Sequence, residues 1–143
     1  MARCLTWCVV FSVCFLAGCG KPAPLLPDRE VTKPVSGVLH VDGSPAAGVE
    51  VAFHPQDANA KIKYKITTTT DNDGKFSATT YESGDGLPAG EYKVTFAWLE
   101  GLTTQKDRLK GKFKNPKKSE HSVSVKGTEG EKVDLGTIEL KTK

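Results

Sequence analysis

From Pro34 to Lys141 the apolar residues recur at every second position, a spacing that sheets satisfy and helices do not. Val35, Gly37, Leu39 and Val41 share one parity. The turn-rich stretch Asp42-Gly43-Ser44-Pro45-Ala46-Ala47-Gly48 separates them from Val49, Val51 and Phe53. Pairing Val41 with Val49 as a hairpin sets Leu39 opposite Val51 and Gly37 opposite Phe53, all facing one side. The same register sets His40 opposite Glu50 and His54 opposite Ser36 on the outer face. A second hairpin is expected between 64–70 and 75–81, joined by Asp71-Asn72-Asp73-Gly74, whose residues tolerate positive φ. Thr67 to Thr70 favour strand through β-branching. Phe76 and Ala78 point inward.

The cleanest alternation follows the loop 82–90. Tyr92, Val94, Phe96 and Trp98 face in, and Glu91, Lys93, Thr95 and Ala97 face out. Val123 and Val125 mark a sixth strand. Val133 and Leu135 have one parity, Ile138 and Leu140 the other, so a bulge at Gly136-Thr137 is expected. Residues 102–112 allow one or two turns of helix at most. Seven short strands in about 108 residues predict an all-β fold, a seven-stranded antiparallel Greek-key sandwich over 34–141. Residues 19–143 are only 32% apolar, which suits sheets with one wet face each. A domain of this size buries roughly 65% of its unfolded surface, enough to fold without disulfides.

Ahead of this domain the composition changes. Residues 4–18 hold 12 apolar residues in 15 and follow Arg3. The run is short for a membrane span, which takes about 20 residues, and right for a signal-peptide core. It ends Leu16-Ala17-Gly18-Cys19, which resembles the lipobox of bacterial lipoproteins. That resemblance implies a signal peptide over 1–18, a diacylglycerol on the Cys19 thiol, and a fatty acid such as palmitate on its new amino group. Cys4, Cys8 and Cys14 would leave with the signal, so the mature chain keeps no thiol chemistry and no disulfide. Two or three acyl chains hold a protein at a bilayer, since each buried methylene contributes about 0.8 kcal/mol. The membrane is therefore one expected partner, through the lipid on Cys19. Lys21, where an Asp would follow Gly20, resembles the signal for the outer membrane facing the periplasm rather than the inner membrane. Residues 19–33, with Pro22, Pro24 and Pro27, read as a semi-rigid extended spacer.

Three segments of the domain resemble the carboxypeptidase regulatory-like family: Val35-Ser36-Gly37-Val38-Leu39-His40-Val41-Asp42-Gly43 with the following Pro45 and Ala47 to Val51; Thr70-Asp71-Asn72-Asp73-Gly74-Lys75-Phe76; and Leu87-Pro88-Ala89-Gly90-Glu91-Tyr92-Lys93-Val94-Thr95. The resemblance implies a transthyretin-like (prealbumin-like) sandwich. Related enzymes that hydrolyse 5-hydroxyisourate end in Tyr-Arg-Gly-Ser. This chain ends Glu139-Leu140-Lys141-Thr142-Lys143, so that activity is not expected.

No catalytic residue, cofactor or metal site is expected. His40 and His54 lie about 13 Å apart in the predicted register and cannot share a zinc ion. Asp71 to Gly74 lacks the alternating ligands of a calcium loop. A net charge of +3 is too small to argue for nucleic acid. The local exception is Lys106 to Lys118, with seven cations and one carboxylate. It reads either as an anion-binding loop, through Lys110, Lys112, Lys114, Lys117 and Lys118 with Phe113 as a docking ring, or as a solvated loop pinned by Phe113. Its anion would be a phosphate-bearing lipid or an acidic polysaccharide. The expected function is a non-catalytic, lipid-anchored β-sandwich module of the bacterial cell envelope that binds or scaffolds a protein or polysaccharide. The alternatives are a carbohydrate-binding module, for which Tyr64 and Tyr81 are the spare rings, and a subunit of an envelope complex docking through the edge strand 64–70.

Overall fold

A computed structural model describes residues 29–101, 106–126 and 131–143. The signal peptide 1–18, Cys19 and spacer residues 19–28 lie outside the described residues. The strands are β1 (Thr32–Lys33), β2 (Val35–Val41), β3 (Ser44–Pro45), β4 (Glu50–Pro55), β5 (Ile66–Thr69), β6 (Lys75–Ser77), β7 (Leu87–Pro88), β8 (Gly90–Ala97), β9 (Leu99–Glu100), β10 (Lys106–Asp107), β11 (Ser122–Val125) and β12 (Val133–Leu140). Seven have three residues or more, β2, β4, β5, β6, β8, β11 and β12, and these are the expected ones. They form two facing sheets, one ordered β11-β8-β4-β5, the other with β2 between β12 and both β3 and β6. All ladders are antiparallel except β12 with β2, which run parallel.

The alternation correctly named the buried face. Val35, Leu39, Val41, Val49, Val51, Phe53, Phe76, Ala78, Tyr92, Val94 and Phe96 all lie in one core. The expected hairpins are overturned. β2 and β4 belong to opposite sheets, so Leu39 and Val51 meet across the core rather than side by side. β5 and β6 are likewise split between sheets. Period two tells which face is inward and is silent about the neighbour. His40 consequently pairs with Glu139 and Pro45, and His54 with Lys93. On β8, Thr95 and Ala97 are buried although expected outside, while Trp98 is only half-buried. Thr95 is covered by His54, whose Nε2 lies 2.8 Å from its hydroxyl.

Both crossings are sewn together. The buried Thr70 hydroxyl donates to Ala46 O at 2.6 Å and accepts from Val49 N at 2.9 Å. Leu39 N donates to Gly74 O at 2.8 Å. Gly74 has φ of +74°, and a Cβ there would lie 2.4 Å from Leu39 O. The expected bulge in β12 is present: the register shifts between Asp134 and Thr137, and Gly136 has φ of +62°.

Residues 29–33, read as spacer, dock on the sandwich. Thr32 and Lys33 pair with Pro88 and Leu87. Arg29 lies 2.8 Å from Glu82, and Glu30 N donates to the Tyr81 hydroxyl at 3.2 Å. Asp85 fixes the adjoining loop by accepting from Thr80 N and Tyr81 N. Tyr92 closes this end: its ring is in the core and its hydroxyl donates to Pro88 O at 2.9 Å. Burial, with lesser contributions from Glu30 and Tyr81, pushes its phenol up to about 12.

Gly74→Ala should lower stability by at least about 2 kcal/mol, from positive φ plus the clash with Leu39 O. Tyr92→Phe should cost about 1 kcal/mol, one hydrogen bond at constant ring packing. Urea unfolding at neutral pH checks both, and equal costs would refute this account of the crossing.

Candidate functional site

The basic run is organised around its one carboxylate. Asp107 Oδ1 accepts from Trp98 N and Leu109 N, both at 3.0 Å, and Oδ2 accepts from Gly111 N at 2.9 Å. Only 11% of its side chain is exposed. The tight turn continues through Lys110 (φ 53°) and Gly111 (φ 73°). Leu109 is buried in the core, and Phe113 packs half-buried against it, so the hydrophobic pin expected at Phe113 has two parts. Sequence reasoning counted Asp107 only as a charge. Its signal was an acid four residues before Gly111, the spacing by which Asp71 also binds Lys75 N.

The loop is also clamped to the edge of β8. Phe96 N donates to Phe113 O at 3.0 Å, and Val94 N to His121 O at 2.9 Å. The Ser119 hydroxyl donates to Val94 O. Asn115 Oδ1 accepts from Lys117 N at 2.9 Å and caps a single 3-10 turn, Pro116–Lys118.

The five candidate lysines are exposed but do not form one cluster. Lys112 and Lys118 both line a groove of about 190 Å³, together with Phe113, Asn115, Ser119, Glu120 and His121. Lys112 Nζ is held by Lys141 O at 2.8 Å. Lys110 instead lines a second depression, of about 370 Å³, beside Trp98 and Arg108. Lys114 lies 3.9 Å from Asp107, and Lys117 stands on the 3-10 turn. Arg108 stacks over Trp98 with its guanidinium carbon 3.6 Å from the ring centre.

The histidines are separate. His121 meets the Phe96 ring edge-on at 5.3 Å, His54 bonds Thr95, and His40 Nδ1 lies 3.9 Å from Glu139. Burial lowers the pKa of both His54 and His121, aided at His54 by Lys65. No group of three His, Cys, Asp or Glu side chains with metal-binding geometry occurs among the described residues. Asp71, at the turn weighed for calcium, accepts from Asp73 N and Lys75 N.

Residues 37–123, β2 through the start of β11, match the HIUase/Transthyretin family. The chain belongs to this family. The basic loop lies inside the matched residues. HIUase/Transthyretin proteins include a hydrolase as well as non-enzymes. No curated protein sequence matches significantly. Among solved structures, a 9R-lipoxygenase from Cyanothece PCC8801 is similar with 13% identity and a TM-score of 0.40, over 77% of this chain and 16% of that one. The chain thus spans about a sixth of that protein, and so weak a likeness carries no functional argument.

Both depressed histidines make the unfolded chain the better proton binder just below its ordinary pKa near 6.5. Their contribution to stability is complete above that value and declines as pH falls through it. Asp42, lowered mainly by the Thr142 hydroxyl, acts only below about 3.8. Melting temperature should therefore fall between pH 7.5 and 5.5, and His54→Gln with His121→Gln should flatten that slope. Asp107→Ala should speed amide exchange at Trp98, Leu109 and Gly111 by tenfold or more, the loss of about 1.4 kcal/mol of local protection. Unchanged exchange there would remove Asp107 as the organiser of the loop.

Proposed function

We propose that this protein is a non-catalytic, lipid-anchored β-sandwich module of the bacterial cell envelope, a carboxypeptidase regulatory-like member of the transthyretin-like class. The observation that carries the non-catalytic part is the engagement of its reactive side chains in holding the fold. Asp71, Asp85 and Asp107 each accept two or more backbone N–H groups. The three histidines stand apart, each against a different structural neighbour. The anchor rests on Leu16-Ala17-Gly18-Cys19 and on the nine residues between Cys19 and the docked Arg29, which suit a short tether from a bilayer.

The two spare rings of the carbohydrate-binding reading differ in exposure. Tyr81 is half-buried with Arg29 over its ring at 5.2 Å, and Trp98 is covered by Arg108. Tyr64 is 62% exposed. Edge docking keeps one supporting observation, since β5 is the outermost strand of its sheet.

Cell fractionation tests the anchor. Wild type should pellet with membranes as a chain beginning at Cys19, with a mass increased by diacylglycerol and a fatty acid. Cys19→Ser should stay unlipidated and retain the signal segment. A wild-type chain that is soluble and unmodified sinks the lipoprotein reading.

A further inference from the structure

The two ends of the sandwich differ in what they carry. β1 brings the chain in beside β7, immediately before β8 begins at Gly90. β8 then runs eight residues to Ala97, roughly 23 Å at the usual rise, and delivers the chain to β9, β10 and the basic loop. β2 runs the same way, from Val35 beside β1 to Val41, and β12 runs parallel to it, ending at Leu140. Lys141, just past the end of β12, therefore joins the loop end, where its carbonyl holds Lys112. The loop itself has net charge +6. At the other end, around the arriving chain, Glu30, Asp57, Glu82, Asp85, Glu91 and Glu131 stand among Arg29, Lys33, Lys61, Lys63, Lys126 and Lys132, so that end is close to charge balance. An anionic bilayer attracts the loop end only if the tether turns back along the length of the domain. Nine residues of tether span roughly 28 Å when extended, barely that distance.

The groove lined by Lys112 and Lys118 combines their two ammonium groups, that of Lys112 lying 5.5 Å over the Phe113 ring, with the Asn115 amide and the His121 imidazole, against the single carboxylate of Glu120. About 190 Å³ is below the usual range for a whole small-molecule ligand and suits one sugar-sized unit. Two ammonium groups with an amide and an imidazole alongside match an anionic group carried on a sugar better than a bare ion, because polar neighbours remain for the sugar hydroxyls.

We propose that the groove between Lys112 and Lys118 binds an acidic polysaccharide, through a carboxylate or phosphate on the sugar, at the end of the domain facing away from the anchoring membrane. The ligand half of this statement stands on the groove, and the orientation half rests on the lipid-anchor reading above.

The test uses full-length lipidated protein in phosphatidylcholine vesicles, with polygalacturonate and dextran phosphate as probes and neutral dextran as control. At least one acidic probe should bind, more weakly as salt rises. Lys112→Gln with Lys118→Gln should raise its half-saturating concentration at least tenfold. The charge-matched pair Lys61→Gln with Lys63→Gln should change it less than threefold. No binding of either probe, or equal loss in both variants, overturns the site. Which probe binds decides carboxylate or phosphate. For orientation, fluorophores on Ser83→Cys and Lys117→Cys are quenched by nitroxide headgroup lipids in vesicles containing phosphatidylglycerol. Stronger quenching at 83 supports the outward-facing loop. Equal or stronger quenching at 117 overturns it and makes the bilayer the partner. The Cys19→Ser protein should bind the probe as wild type does, so failure of the anchor and failure of the groove read out separately.

Discussion

Everything in this sandwich depends on the close approach of the 70–75 turn to the 39–46 segment. There the chain leaves each sheet for the other, and backbone groups that would pair in a hairpin must find partners across the gap. Thr70 supplies one donor and one acceptor in a single buried hydroxyl, serving Ala46 O and Val49 N. Gly74 lets the backbones touch, because its missing Cβ is what leaves room for Leu39 O. With the crossing set, Leu39 of β2 joins Val51 and Phe53 of β4 in one core, formed from a sequence modest in apolar content.

The same economy governs the loops. Asp71, Asp85 and Asp107 each bend a short stretch of chain by gathering backbone N–H groups onto one carboxylate. Charge-assisted hydrogen bonds of this kind are roughly twice as strong as neutral ones, so three side chains replace much regular structure. At Asp107 the consequence extends to the basic run around it. A run of seven cations would repel itself into an open coil, yet here it is folded, pinned by Leu109 and laid along β8. Its lysines are thereby displayed in fixed places, two of them at one groove.

The polarity of the molecule follows from strand direction. Because β2, β8 and β12 all run away from the point where the chain docks, whatever is attached at its N-terminal side and whatever the basic loop meets are kept at opposite ends.

The sequence by itself determined the all-β class, the positions of the seven main strands, most of the inward residues though not Thr95 and Ala97, the bulge at Gly136 and the positive φ of Gly74. These are local consequences of side-chain alternation and backbone sterics, legible at Val35 to Val41 or Tyr92 to Phe96 without knowledge of neighbours. The basic run was legible as a composition, and its organiser Asp107 was not, because a carboxylate among lysines looks like a charge until its backbone partners are known. Only the tertiary structure decided that β2 and β4 face each other rather than pair, that β12 runs parallel to β2, that residues 29–33 belong to the domain, and that Lys112 and Lys118 share a groove while Lys110 does not. The physical reason is that period two specifies a face, whereas partner, sheet and end are chosen by long-range hydrogen bonds and core closure, which no local pattern encodes.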